Sequence, residues 1–97
     1  MTEIIVIDER VELTLIELCQ ACNAERALLV TLVDEGVLIA KRGDEPDDWR
    51  FPGYSLRRAR AAVRLMRDLE LNAAGVAVVL DLKEQIEALQ VQLDRRN

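Results

Sequence analysis

Apolar residues recur at helical spacing in four segments of the chain, which predicts four helices. In the first segment, Thr14 and Glu17 match a capping box, and an apolar stripe follows at spacing i, i+3, i+4 and i+7. This stripe consists of Leu15, Leu18, Cys19 and Cys22. Asn23 is the expected N-cap of a second helix that ends at Gly36, because glycine readily adopts the left-handed conformation. The second stripe consists of Ala24 or Ala27, Leu28, Leu29, Leu32 and Val33.

Short β-branched and aromatic runs predict strands before and after these two helices. The predicted strands are residues 3–7, 11–13, 37–41 and 49–51. The last two flank a polar turn over residues 42–48, so they predict a hairpin, the wing of a winged helix-turn-helix. Because side chains alternate along a strand, Trp49 and Phe51 are expected on the same face.

Two longer helices are predicted after the wing. Ser55 is expected to cap a third helix over about residues 56–70, which has an apolar side and a basic side. The apolar side consists of Leu56, Ala59, Ala62, Val63, Met66 and Leu69, and the basic side of Arg57, Arg60, Arg64 and Arg67. Asn72 is expected to cap a fourth helix that runs to about residue 95.

The predicted fourth helix carries apolar residues at alternating spacings of three and four. This heptad seam consists of Val79, Leu82, Ile86, Leu89 and Leu93. At 1.5 Å per residue the helix is about 35 Å long, more than a small domain needs for its own core. The seam therefore predicts contact with a second chain in a homodimer.

These elements predict a single domain that is mainly α with a small β wing. A chain of 97 residues is long enough for one small core. Within the domain, residues 1–12 are the N-terminal strand region, 13–56 the helix-turn-helix plus wing, and 57–97 helices three and four. The predicted fold is therefore a winged helix-turn-helix followed by two longer helices, the last of them extended.

Charge is distributed unevenly along the chain. The net charge is −5, with twelve acids and four bases in residues 1–49 but six acids and nine bases in residues 50–97. The second predicted helix, residues 24–35, has one arginine and three acids. A duplex carries about one negative charge per 1.7 Å, so a helix that enters its groove needs cations. The pattern favours a protein partner over DNA.

An acidic set at the end of helix two and in the wing loop is the candidate partner-binding surface. It consists of Asp34, Glu35, Asp44, Glu45, Asp47 and Asp48. Charge of one sign on one face steers a partner of opposite charge, so these positions would complement a basic protein. An ordinary solvated loop is the alternative interpretation.

The arginine row of helix three allows three interpretations. It could contact DNA phosphates, or form a solvated helix face in which Asp68 follows Arg64 at i+4. It could also pair with the acidic N-terminal half of the chain. A basic row without a basic recognition helix would add only non-specific affinity for DNA.

The residue types present argue against catalysis. The chain has no histidine, and Ser55 is its only serine, so the usual general base and serine nucleophile are missing. Cys19 and Cys22 lie on an apolar stripe, whereas a zinc site needs four ligands, so they are predicted to be core residues. We therefore expect no catalytic residues, no cofactor and no metal.

The chain also lacks signals for a membrane. No apolar run approaches about 20 residues, and the N-terminus has no basic signal-peptide region. A cytoplasmic protein without a membrane partner is expected.

The segments described above resemble the chaperone-modulator (CbpM-type) family, relatives of the MerR-like helix-turn-helix proteins. The resemblance covers about residues 12–95 and is carried by LIELC (15–19), DEGVL (34–38), WRF (49–51), AVRLMRDLEL (62–71) and GVAVVLDL (75–82). The junction at residues 36–38 is shared by the whole MerR-like superfamily. Residues 69–72 followed by 75–80 are more particular to the modulators.

The resemblance implies a non-enzymatic regulator. Members of this family bind the J-domain of a DnaJ-like co-chaperone, the curved-DNA-binding protein CbpA, and restrain its co-chaperone and DNA-binding activities. A J-domain presents a basic helix to the Hsp70 chaperone, so an acidic modulator would compete for that surface. The acidic positions named above rest on electrostatics and not on a family motif.

Two other hypotheses remain beside this one. The first is a MerR-like DNA-binding transcriptional regulator that holds phosphates with the arginine row. MerR-type regulators carry basic and aromatic residues in helix two, where this sequence has Leu28, Leu29 and Leu32. The second is a structural helical adaptor that binds through its terminal seam.

Overall fold

A computed structural model describes residues 11–96, which form four α-helices, one short 3-10 helix and two short strands. The elements are β1 (Glu12–Thr14), α1 (Leu15–Cys22), α2 (Arg26–Asp34), the 3-10 helix (Pro46–Asp48), β2 (Arg50–Pro52), α3 (Ser55–Leu69) and α4 (Ala73–Arg96). This order confirms the predicted winged helix-turn-helix followed by two longer helices. The strand predicted at residues 3–7 lies outside the described residues.

The first helix begins as predicted, but the turn after it differs. Thr14 Oγ1 accepts a hydrogen bond from the Glu17 N–H at 3.2 Å, and Glu17 Oε1 accepts one from the Thr14 N–H at 2.9 Å. Asn23 is not the N-cap of α2; it is the C-cap of α1, with φ of 50°. The prediction is wrong because asparagine tolerates this left-handed conformation, which reverses the chain. The N-cap of α2 is Glu25, without a side-chain hydrogen bond.

The second strand pairs with the first strand and not within a wing hairpin. β1 and β2 are antiparallel, with Leu13 opposite Phe51. On the other side of β2, the wing has one isolated bridge, between Arg42 and Arg50. The Lys41 N–H adds a hydrogen bond of 2.7 Å to the Arg50 carbonyl. The predicted hairpin is thus reduced to a short contact at its loop end.

The prediction of a strand at residues 37–41 is wrong because the first residues of this segment cap α2. The N–H groups of Val37 and Leu38 both donate to the Leu32 carbonyl, at 2.9 and 3.3 Å. Both side chains are buried in the core. Before them, Gly36 has φ of +76°, so the predicted left-handed glycine at the end of α2 is confirmed.

The wing loop is closed by a glycine and a 3-10 helix. Gly43 has φ of +109°, and a Cβ at this position would lie 2.4 Å from the Asp48 carbonyl oxygen. Only glycine therefore allows the loop to close so tightly. The predicted polar turn thus has a defined structure, and its 3-10 helix packs against α1.

One core joins all four helices and β2. Its buried apolar residues are Leu15, Leu18, Cys22, Leu29, Leu32, Val37, Leu38, Phe51, Ala59, Ala62, Val63, Ala73, Val76 and Leu80. Trp49 packs edge-on against Phe51, with ring centroids 6.0 Å apart and an interplanar angle of 83°. The two rings thus lie on the same side of the chain, as predicted, although Trp49 directly precedes β2. Offset and edge-on pairs of this kind add about 0.5–1.5 kcal/mol to the effect of burial.

The third helix departs from prediction at both ends. Ser55 is buried and is the first helical residue, while Tyr54 precedes it as an N-cap without a side-chain hydrogen bond. Leu69 was expected on the apolar side but is exposed. It is the last residue of α3, and Glu70 then turns the chain with φ of 53°.

The fourth helix is capped as predicted and extends beyond the core. Asn72 Oδ1 accepts a hydrogen bond from the Gly75 N–H at 2.8 Å. The buried residues of α4 are Ala73, Val76 and Leu80. Residues 81–96 are all exposed, over about 24 Å of helix, and Glu84 near their start still contacts Arg58 of α3. The helix beyond this contact projects from the domain. None of the described helices is both long and apolar enough to cross a bilayer.

Candidate protein-interaction surface

The exposed side of α2 carries almost no positive charge. Leu29 and Leu32, two of the three leucines compared above with DNA-contacting positions, are fully buried and belong to the core. Those two positions therefore do not distinguish a DNA reader from a protein binder. The exposed residues of α2 are Arg26, Ala27, Thr31 and Asp34. Arginine 26 is thus the only cation that this helix presents.

This single cation is paired with the wing loop. Arg26 Nη2 lies 3.1 Å from Asp47 Oδ1, and both side chains are more than half exposed. Such a pair contributes little to stability because water screens it. It does, however, hold the loop beside the N-terminal end of α2 and cancels the positive charge there.

The six predicted acidic residues are all exposed, but the structure separates them into two groups. Asp34 and Glu35, here called the terminal pair, lie at the C-terminal end of α2. The loop group consists of Asp44, Glu45, Asp47 and Asp48. Asp47 contacts the opposite end of α2, about 12 Å along the helix axis. The acids therefore surround α2 from both ends and do not form one cluster.

Glu12, which was not among the predicted site residues, neutralises the two bases of the wing. Glu12 Oε1 lies 2.8 Å from Arg42 Nη2, and Glu12 Oε2 lies 3.9 Å from Lys41 Nζ. These residues meet only because β2 brings β1 and the wing together, so sequence spacing gives no signal for them. The described bases on the α2 and wing side are thus all paired with acids or with the backbone: Arg26, Lys41, Arg42 and Arg50.

The arginine row of α3 is partly structural. Arg67 Nη2 donates to the Asn23 carbonyl at 2.5 Å, which joins α3 to the turn between α1 and α2. A cation is favourable there because helix carbonyls at a C-terminus carry partial negative charge. Arg57 and Arg64 are exposed, and Arg60 is half-buried. The row is therefore not a uniform solvent-facing strip.

A further arginine that the sequence analysis missed connects three elements. Arg58 Nε donates to the Val37 carbonyl at 2.6 Å, and its Nη1 pairs with Glu84 of α4. Helical spacing places Arg58 outside the predicted row. Its role depends on where residue 37 and α4 lie in space, which the one-dimensional pattern does not contain.

The heptad seam is exposed along most of its length. Leu82, Ile86, Leu89 and Leu93 are each 52–61% exposed, and Val79 is half-buried. At 100° per residue, the seam lies about 130° around α4 from its buried stripe. The seam is therefore a second apolar face, distinct from the one that packs on the domain.

Comparison with known proteins agrees with this architecture. Residues 13–96 match the family described as MerR HTH family regulatory protein. A chaperone modulatory protein CbpM from Coxiella burnetii is 37% identical over 89 residues, which cover 92% of this chain and 83% of the relative. One from Pseudomonas putida is 30% identical over 80 residues, covering 82% of this chain and 78% of the relative. The chain belongs to the CbpM-type, MerR-like helix-turn-helix family. The predicted resemblance is thus confirmed.

The two cysteines of this CbpM-type chain are structural. Both thiols are free; Cys22 is buried and Cys19 packs partly against the core. Burial raises the pKa of both thiols, and at Cys22 the positive charge of Arg60 opposes that effect. A raised pKa disfavours the thiolate, which is the nucleophile and the metal ligand. Within residues 11–96, no three His, Cys, Asp or Glu side chains come together as a metal site.

Proposed function

We propose that this chain is a non-enzymatic chaperone modulator of the cytoplasm that binds the J-domain of a CbpA-type, DnaJ-like co-chaperone. Binding would inhibit the co-chaperone and DNA-binding activities of that protein by competition with Hsp70. The relatives from Coxiella burnetii and Pseudomonas putida are named chaperone modulatory proteins, which supports the general role. The observation that carries the partner's chemistry is the exposed acidic end of α2, whose only cation is already paired.

The position of the terminal pair supports a binding role. Asp34 and Glu35 lie at the C-terminal end of α2, where the helix dipole disfavours negative charge by about 0.3–1 kcal/mol. Their placement therefore costs stability instead of adding to it. A basic helix of a partner would relieve this repulsion, which gives the pair a reason to bind cations.

The loop group has a secondary role in this proposal. Asp47 is held by Arg26, so part of its charge is already satisfied within the chain. Asp44, Glu45 and Asp48 remain exposed on the wing loop. We assign the terminal pair to the centre of the surface and the loop group to its edge, where charges chiefly steer the encounter.

Titration calorimetry of the chain into the isolated J-domain tests the proposal directly. We expect saturable binding with fixed stoichiometry, and we expect added Hsp70 to displace the chain. Asp34→Lys with Glu35→Lys should slow association about tenfold at low salt and leave the dissociation rate nearly unchanged. The matched control is Asp68→Lys with Glu70→Lys, a charge reversal at the C-terminal end of α3. Equal effects of the two double variants would remove the terminal pair from the interface.

A second candidate function is DNA binding of the MerR type. The family match and the exposed Arg57 and Arg64 favour it. In that case the affinity for a duplex would fall steeply with salt, with a slope set by the number of phosphates contacted. Arg57→Ala with Arg64→Ala would lower that slope. This candidate would be rejected if the chain bound the J-domain but did not retard a labelled duplex in electrophoresis at low salt.

We also propose that α4 mediates a homodimer. Its seam is a continuous apolar face on a projecting helix, and solvation of such a face is unfavourable. A second copy of the chain would cover it by pairing seam with seam. No cofactor or metal takes part in any of these proposals.

A further inference from the structure

Two large apolar side chains remain exposed in a groove that begins at Gly36, the residue directly after the terminal acidic pair. Ile39 is 73% exposed and Tyr54 is 60% exposed. Both line one groove, which also includes Gly36, Arg58 and Glu84. Together they offer a small apolar surface that the apolar side chain of a partner can cover.

The floor of this groove is held in place before any partner arrives. Val37 and Leu38 are buried, and the N–H groups of both donate to the Leu32 carbonyl. From the opposite side, Arg58 Nε donates to the Val37 carbonyl at 2.6 Å. Hydrogen bonds therefore fix the main chain of residues 37 and 38 at two N–H donors and one carbonyl acceptor. A preformed groove reduces the entropy cost of binding.

One end of the groove, at Gly36, adjoins the acidic C-terminal end of α2. The one arginine that lines it, Arg58, is engaged with Val37 and Glu84. Glu35 immediately precedes Gly36 at the groove's end, and Asp34 precedes Glu35. An occupant must therefore present an apolar surface with positive charge beside it. An amphipathic helix that carries lysine or arginine next to an apolar residue has this chemistry.

We infer that the Ile39–Tyr54 groove receives an amphipathic basic helix of the partner. An apolar side chain of that helix packs between Ile39 and Tyr54, while its cations reach Asp34 and Glu35. The inference rests on the proposed J-domain binding and adds an apolar contact that the charge pattern alone does not contain. Aromatic and aliphatic anchors set the lifetime of a complex, whereas charges at the edge set its rate of formation.

Binding kinetics with the isolated J-domain separate these two contributions. Ile39→Ala and Tyr54→Ala should each raise the dissociation rate at least tenfold and change the association rate less than twofold. The increase should be similar at about 0.05 and about 0.5 M salt, because screening does not weaken an apolar contact. The matched control is Ile16→Ala, which truncates an isoleucine on α1 that is 62% exposed and outside the groove. It should alter both rates less than twofold.

Each outcome has a distinct meaning. If the unaltered chain does not bind the J-domain, the proposed function fails and this inference fails with it. If the unaltered chain binds but the groove variants behave like Ile16→Ala, only the groove assignment is overturned. Tighter binding by the groove variants would also overturn it, because truncation of a side chain that contacts the partner should weaken binding. Unchanged circular dichroism and thermal unfolding would confirm that these exposed truncations leave the fold intact.

Discussion

The first third of α4, residues 73–80, and the remaining residues 81–96 both carry apolar residues at helical spacing but differ in what surrounds them. In the first third, Ala73, Val76 and Leu80 are buried against the domain. From residue 81 onward, every side chain is exposed. The same helix is therefore a core element over its first two turns and a projecting arm over the rest.

The angle between the two apolar stripes explains this difference. The seam is turned about 130° away from the buried stripe, so it cannot continue the packing against α3. A helix as short as the projecting arm is marginal in water without tertiary contacts. An ion pair from Arg58 to Glu84 supports its base. We therefore expect the arm to depend on the proposed dimer for its stability, whereas residues 73–80 are stabilised by the core.

Truncation of a core side chain should have the largest effect on the free energy of unfolding. Comparison with a truncation in the arm should separate the core from the arm most clearly. Phe51 is fully buried at the centre of the domain. Phe51→Ala should lower the free energy of unfolding by about 3–5 kcal/mol, because it removes apolar contacts and leaves a cavity. Leu89→Ala should lower it by less than about 0.5 kcal/mol when measured on the monomer. Urea denaturation at low protein concentration measures both values, and equal losses would contradict the division.

Polar substitution in the seam should break the proposed dimer but not the domain. Ile86→Lys with Leu89→Lys should weaken self-association at least a hundredfold, about 2.7 kcal/mol, since it places charges in an apolar interface. The helix content and melting of the domain should be unchanged. Sedimentation equilibrium measures the association.

The control for this experiment adds the same charge elsewhere on the arm. Ala88→Lys with Val91→Lys has the same spacing but lies on the side of α4 away from the seam. It should remain dimeric. A dimer that persists in the seam variant would exclude the seam as the interface.

Local features of the fold were predictable because neighbouring residues determine them. The capping box at Thr14, the Asn72 cap and the left-handed Gly36 each depend on residues within one helical turn. Amphipathic spacing likewise predicted the four helices. These signals are contained in short stretches of sequence, so no knowledge of the tertiary structure was needed.

The errors in strand pairing occurred where the partners of a segment are distant in sequence. Residues 37–41 have the composition of a strand, but the first two cap α2 and become core residues. Separately, β2 pairs with β1 along one edge, and the wing adds only an isolated bridge along the other. The spatial groups of the candidate site, including Glu12 with the wing bases, depend on this pairing. Residue types therefore predicted the acidic character of the surface but not its division around α2.

Loss of the Arg58 contacts, which join α3 to the start of the arm, should have an intermediate effect on stability. Arg58→Met keeps most of the side-chain length but removes the hydrogen bond to Val37 and the ion pair with Glu84. It should lower the free energy of unfolding by about 1–2 kcal/mol, because the Val37 carbonyl loses its partner. Glu84→Gln removes only an exposed charge and should cost less than about 0.5 kcal/mol. Guanidinium denaturation compares the two, and a larger loss for Glu84→Gln would show that the arm contact dominates.

The smallest expected effect is a pH dependence that arises in the domain and not in the arm. Burial raises the pKa of the Cys22 thiol above its usual value of 9.0 in the folded chain, against the opposing charge of Arg60. Above that pH, the unfolded chain loses the proton first, so the folded state binds more protons and stability falls as pH rises. Cys22→Ala removes this titration and should flatten the decline in unfolding free energy above about pH 9. Denaturation series of both proteins at several pH values would measure it. If the unfolding free energy of both proteins declined in parallel, the Cys22 thiol would not contribute to the pH dependence. The buried end of α1 would then add no more to it than the exposed arm does.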